Sequence, residues 1–185
     1  MNTYDTVHLA FLAVGGKIAG KTKLQKTIYF LGLLTKESDN LGYKAHFYGP
    51  YSAEVADSVG QLHALGFLDR NTVQTGMQGD HGFEAMRYDF ELTEAGRRTA
   101  EAKARSHPEF WKNLKESADA LKNAGDLDYM KMSIAAKTYF MLGEKGGQAT
   151  VGQLAGLASQ FGWKVTTDQI KDAVGYLGKL GLIQH

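Results

Sequence analysis

Cysteine is absent from this chain. That removes disulfides, cysteine-ligated zinc, iron–sulfur clusters and thiol nucleophiles together. Proline occurs only twice, so long helices meet few interruptions. A membrane-length apolar run is also missing. The longest, Leu9–Val14, falls far short of the ~20 residues that span a bilayer. Nor do the opening residues read as a secretory leader, because Asp5 stands where basic residues belong and Gly15-Gly16-Lys17 follows the apolar stretch. An excess of one charge is lacking too. Lys plus Arg is 21 against 20 for Asp plus Glu, a net charge of +1, which gives no global field for nucleic acid or an anionic membrane. Hydrophobic residues at 43% and charged residues at 22% exclude wholesale disorder. A cytoplasmic protein of one ordinary domain or two small ones is expected from 185 residues.

What the sequence does have is glycine, 22 of them, and an internal echo. Leu62-His63-Ala64-Leu65-Gly66-Phe67-Leu68 matches Leu177-Gly178-Lys179-Leu180-Gly181-Leu182-Ile183 as L-x-x-L-G-apolar-apolar. Each closes an amphipathic run: Val55, Val59, Leu62 and Leu65 in one, Ile170, Val174, Leu177 and Leu180 in the other. A glycine after the last apolar residue predicts a left-handed C-terminal cap followed by the start of a strand. Upstream, Leu9–Val14 ends at Gly15-Gly16, and Tyr139–Leu142 ends at Gly143 and Gly146-Gly147. T-x-x-Q pairs follow at Thr22/Gln25, Thr150/Gln153 and Thr166/Gln169, and each predicts a helix start with a reciprocal cap. Tyr88, Phe90 and Leu92 alternate with Arg87, Asp89 and Glu91, which is strand periodicity. Residues 67–75 are the expected partner strand, and Gly76–Gly82 the loop between.

The expected fold is therefore mainly α with a small antiparallel β-hairpin. It is a winged helix-turn-helix followed by a second winged-helix-like, tri-helical unit at the C-terminus. Residues 1–98 would form the winged helix with a long wing, 99–126 a helical linker broken at His107-Pro108, and 127–185 the second unit.

Gly15-Gly16-Lys17-Ile18-Ala19-Gly20-Lys21-Thr22 formally matches G-x-x-x-x-G-K-[ST], the phosphate-cradling loop. Such a loop must follow a buried strand of a parallel sheet. No βαβ series is visible here, so an ordinary junction between two helices is expected instead. Lys17, Lys21, Lys23 and Lys26 crowd one stretch without an acid. With Leu24, Ile28 and Leu31 inward, the lysines would face out and could neutralise phosphates. A solvated charged face gives the same pattern. The third helix of the first unit would present Ser52, Glu54, Asp57, Ser58, Gln61 and His63. It lacks the Arg or Lys that readers of the major groove carry. In the second unit, Lys171, Tyr176 and Lys179 would be exposed. His46-Phe47-Tyr48-Gly49-Pro50-Tyr51-Ser52 is the most unusual local segment. It would either staple the third helix to the core through Phe47 and Tyr51 or offer aromatics at a positive helix end that takes carboxylate or phosphate. His8, His46, His63, His81, His107 and His185 show no metal-ligand spacing, and no catalytic pattern can be defended. A protein without metal or cofactor, and without enzymatic activity, is expected.

Three segments in order carry a resemblance: Lys23-Leu24-Gln25-Lys26-Thr27-Ile28-Tyr29 after Gly15-Gly16-Lys17-Ile18, then Phe47-Tyr48-Gly49-Pro50-Tyr51-Ser52, then Leu65-Gly66-Phe67-Leu68. This order resembles the YwgA-like proteins, a prokaryotic winged-helix family, over roughly residues 7–98. It is more distantly similar to the SocA-like (Panacea) antitoxin domain. The resemblance implies a fold more than an activity. The leading expectation is a nucleic-acid-binding winged-helix protein, a transcriptional regulator and homodimer on double-stranded DNA. Lys17, Lys21, Lys23, Lys26, Tyr51, Ser52, Gln61, the wing residues His81 and Arg87, and Lys171 and Lys179 would form its contact set. The alternative is a protein-interaction or antitoxin-like adaptor module; a nucleotide-binding loop comes last.

Overall fold

Asn2 starts the first helix, α1 (Thr3–Ala13), by accepting a hydrogen bond from the Asp5 amide at 2.7 Å. Val7, His8, Leu9, Ala10 and Phe11 are all buried. A helix enclosed on every side is a central member of a helical core. The chain leaves it through Gly15 and Gly16, both at positive φ (95° and 91°), as the paired glycines predict. The computed structural model describes residues 1–74 and 86–184. Among these, the protein is mainly helical with one small three-stranded antiparallel sheet.

The remaining elements follow in chain order as β1 (Lys17–Ala19), α2 (Lys21–Thr35), a 3-10 turn at Ser38–Leu41, α3 (Ala53–Ala64), β2 (Leu68–Gln74), β3 (Met86–Leu92), α4 (Glu94–Ser106), α5 (Pro108–Ala124), α6 (Tyr129–Glu144), α7 (Val151–Gln160) and α8 (Thr167–Lys179). The expected hairpin is present: β2 pairs with β3 from Leu68↔Leu92 to Gln74↔Met86. Its expected loop and His81 lie outside the described residues.

The junction after α1 differs from expectation. Lys17–Ala19 is a third strand, paired antiparallel with β3 as Lys17↔Glu91, Ile18↔Phe90 and Ala19↔Asp89, giving the order β1-β3-β2. Three residues are too few to show a period. Because a helix precedes this segment and the sheet is antiparallel, the Gly15–Thr22 stretch lacks the strand-to-helix setting of a phosphate loop.

Both L-x-x-L-G segments close their helices alike. The Phe67 amide bonds the Leu62 carbonyl at 2.9 Å with Gly66 at φ 72°; the Leu182 amide bonds Leu177 at 3.1 Å with Gly181 at φ 68°. They part company afterwards. Leu68 opens β2, whereas Leu182 and Ile183 pack back on the core as irregular chain. The second unit is thus three helices, α6–α8, with no strand among its described residues. Two of the three expected T-x-x-Q caps form, at Thr150/Gln153 and Thr166/Gln169. The third does not. The helix α2 begins two residues early, with Gly20 rather than Thr22 at its N-cap, and Gln25 turns inward.

The break at His107-Pro108 falls between α4 and α5 as expected. These helices are not a bare spacer. Ala100, Ala104, Leu114, Ala118 and Leu121 are buried, and α5 packs on α1 and α2. One hydrophobic cluster runs from Val7 through Phe30 and Leu114 to Tyr176 and Leu177. A second, smaller cluster (Met141, Leu154, Ala158, Trp163 and Ile170) holds α7 to its neighbours.

Candidate functional site

The lysines expected to grip phosphate have different fates. Lys26 is 1% exposed, and its Nζ donates to the Pro50 carbonyl at 2.5 Å. It is therefore not displayed to solvent, because α2 is covered on one side by α5 and α6 and lies against β1 and α3 on another. Lys23 is tied to Asp126 at 2.7 Å, and Lys17 to Glu91 at 3.4 Å. Lys171 is paired with Asp168 at 3.1 Å and Arg87 with Asp89 at 2.8 Å. Lys21 is exposed, its ammonium 4.4 Å from the centre of the Tyr88 ring. Arg70 shares that ring at 5.3 Å. Sequence reasoning missed Arg70 and Tyr88 as partners of Lys21, since only the strand register brings position 70 beside position 88.

The faces of the third helices also need correction. Ser52 is fully buried and spends its hydroxyl on capping α3 through the Val55 amide at 3.0 Å. Ser58 is buried on the Glu54 carbonyl, and His63 is half-buried with Nδ1 on the Leu68 carbonyl at 2.8 Å. Glu54, Asp57 and Gln61 remain at the surface, which leaves that face acidic. On α8, Tyr176 is buried against Phe30 rather than exposed, and burial pushes its hydroxyl up to about 12, with Asp126 adding to the shift. Lys179 is exposed.

The K-L-Q-K and G-P-Y-S segments turn out to be one structural unit. The Gln25 side chain is a two-point clamp on Ser52: Nε2 donates to the Ser52 carbonyl at 2.9 Å, and the Ser52 amide donates to Oε1 at 3.1 Å. One residue on, Lys26 holds the Pro50 carbonyl. Gly49 stands between at φ 94°, and a Cβ there would lie 2.9 Å from Lys137 Cγ. The second unit fastens the other side. Ser133 Oγ donates to the Tyr48 carbonyl at 2.6 Å, and Trp163 Nε1 to the His46 carbonyl at 2.7 Å. Nearly the whole 46–52 backbone is thus fixed from two directions.

With its backbone anchored, this loop turns its rings outward. Phe47 is 69% exposed, Tyr48 43% and Tyr51 37%. They do not staple α3 to the core. Instead they stack on each other: Phe47 and Tyr48 meet edge to face at 5.1 Å, and His46 lies 5.0 Å from Tyr51. Tyr129, 46% exposed, projects from α6 one turn before Ser133. Lys137 follows Ser133 by another turn, half-buried, with its ammonium 5.4 Å from the Trp163 ring centre. Burial pushes the Lys26 ammonium down to about 7, with Lys137 adding to it, and burial lowers Lys137 in turn.

Among the described residues no cluster of His, Asp or Glu could hold a metal ion, and no helix is long and apolar enough to cross a membrane. No protein-family model matches this chain. No curated protein is significantly similar to it either.

Proposed function

We propose that this protein is an interaction module, an antitoxin-like adaptor, that docks a protein partner on the His46–Tyr51 rings and the neighbouring surface of α3. The observation that carries this reading is the rigid presentation of Phe47, Tyr48 and Tyr51 at the surface. Aromatic residues held on a fixed backbone supply contact area at low entropic cost and are enriched at protein–protein interfaces. The acidic face of α3 points the same way, since Glu54 and Asp57 repel phosphates. The α1–α3 core with its β1-β3-β2 sheet is read as a winged helix of the YwgA-like kind, and α6–α8 as its wingless echo. Affinity capture on the tagged full chain, with the bound protein identified, tests the reading. Retention should be lost with Tyr51→Ala and kept with Lys23→Ala. Equal retention by both variants contradicts it.

A second reading, a DNA-binding transcriptional regulator acting as a homodimer, rests on Lys21 and Arg70 beside Tyr88 at the base of the wing. There, binding to duplex DNA would weaken with rising salt, and the slope would shallow by about one for each of Lys21→Ala and Arg70→Ala. Absence of duplex binding at low salt removes this reading.

A further inference from the structure

The exposed rings say that something docks; the lysines beneath them say what kind of group it carries. Lys26 is a fully buried amine whose hydrogen-bond acceptor is a neutral carbonyl, and no acid is paired with it among the described residues. Lys137 approaches the same glycine from the second unit. A Cβ built on Gly49 would lie 3.4 Å from Lys137 Cε and 3.6 Å from Lys26 Cε. Lys137 also lacks an acidic partner among the described residues; its neighbour is the Trp163 ring. Two amines therefore meet in a partly dry site with nothing negative between them among the described residues, and below about pH 7 both carry charge. An uncompensated buried charge is costly, and an arriving anion recovers that cost. The lysines that are compensated show the contrast: Lys17, Lys23 and Lys171, nearer water, each have a carboxylate.

We infer that the docking surface receives an Asp or Glu side chain of a protein partner, its carboxylate seated on Lys137 over buried Lys26 while flanking apolar side chains cover Phe47, Tyr48 and Tyr51. This rests on the docking reading above and names the chemistry of the partner. A carboxylate on a peptide suits the site better than a nucleic-acid backbone for two reasons. Lys137 has the Trp163 ring beside it, and the exposed rings of Phe47, Tyr48 and Tyr51 flank Gly49 in the chain. The adjoining helix face carries Glu54 and Asp57, which admit one local charge but oppose a polyanion.

Panning a random peptide display library on the intact protein tests this. Enriched peptides should share an Asp or Glu beside a bulky apolar residue. Synthetic copies should lose roughly tenfold or more in affinity, about 1.4 kcal/mol, when that acid becomes its amide. They should lose as much against Lys137→Met and keep their affinity against Lys137→Arg. Enriched peptides without an acid, or indifference to both the amide and Lys137→Met, overturn the carboxylate assignment while leaving the aromatic surface standing. Displacement by duplex DNA or inorganic phosphate at concentrations equal to the peptide also overturns it, because the site would then be a general anion site. Peptides that bind Tyr51→Ala unchanged, or no enrichment at all, overturn the docking reading itself.

Discussion

Replacing Gln25 by leucine removes the clamp between the two motifs without changing the side-chain volume much. The Ser52 carbonyl keeps a second donor, the Ala56 amide at 3.2 Å, so it loses one bond of two. The Ser52 amide loses its partner altogether in a fully buried setting. An orphaned buried donor costs about 1–3 kcal/mol and a lost bond about 1 kcal/mol. The expected loss is therefore about 3 kcal/mol, or roughly 6–12 °C in Tm for a chain of this size. Gln169→Leu supplies the comparison. That glutamine accepts from the Thr166 amide in a surface capping box at 2.9 Å, where water can replace it, so the cost should stay under about 1 kcal/mol. Scanning calorimetry and urea titration of both variants measure the difference. Equal destabilisation by Gln25→Leu and Gln169→Leu would refute the clamp.

Three further outcomes follow from the packing. Gly96→Ala should destabilise by about 1–3 kcal/mol or more, since its Cβ would meet the Phe67 carbonyl oxygen, whereas Gly60→Ala, with open space around it on α3, should be neutral or mildly stabilising; similar melting temperatures for the two would contradict this. His8 donates through Nε2 to the Gly96 carbonyl at 2.9 Å and leaves Nδ1 buried without a partner among the described residues. Burial first, then Lys103, push its pKa down to about 4 against the Gly96 bond and Asp5. The folded state thus binds fewer protons than the unfolded one between pH 6.5 and 4. Stability present above 6.5 is lost on acidification through that window, about 2 kcal/mol by pH 5; urea titrations at pH 7 and 5 should show that slope reduced in His8→Leu, and an unchanged slope speaks against it. For Lys26 the burden of a buried charge is full below about pH 7 and fades as pH rises toward its ordinary value. Wild type should therefore gain on Lys26→Met between pH 7 and 10, and parallel stability curves would count against the burial.

Local signals were the legible ones. Thr150, Thr166, Gly66 and Gly181 act within one turn of their own helix, so their chemistry is visible without knowing the neighbours. The alternation at Tyr88–Leu92 marked β3, because Phe90 and Leu92 are covered while Arg87 and Glu91 stay exposed, with Asp89 buried between them on its pair with Arg87. Periodicity misled where an element has no wet side. Lys26 sits on α2 opposite the Leu24 and Ile28 stripe and Gln25 on its flank, and both are sealed by the 46–52 loop and α6. The two motifs stood out as unusual, but their meeting depends on a contact across 27 residues. Tyr176 was misplaced for the same reason, being covered by Phe30 from the first unit. Lys137 and Trp163 carried no local signal at all; the packing of α6 against α2 brings Lys137 to Gly49, and Trp163 reaches the His46 carbonyl from the segment between α7 and α8.

Amide hydrogen exchange of the full chain, alone and with its captured partner, reads the location of the docking face directly. Slowed exchange at residues 44–57, with β2 and β3 unchanged, is the result this account requires. Protection concentrated on Lys17–Lys21, β2 and β3 instead would place recognition at the wing and contradict it.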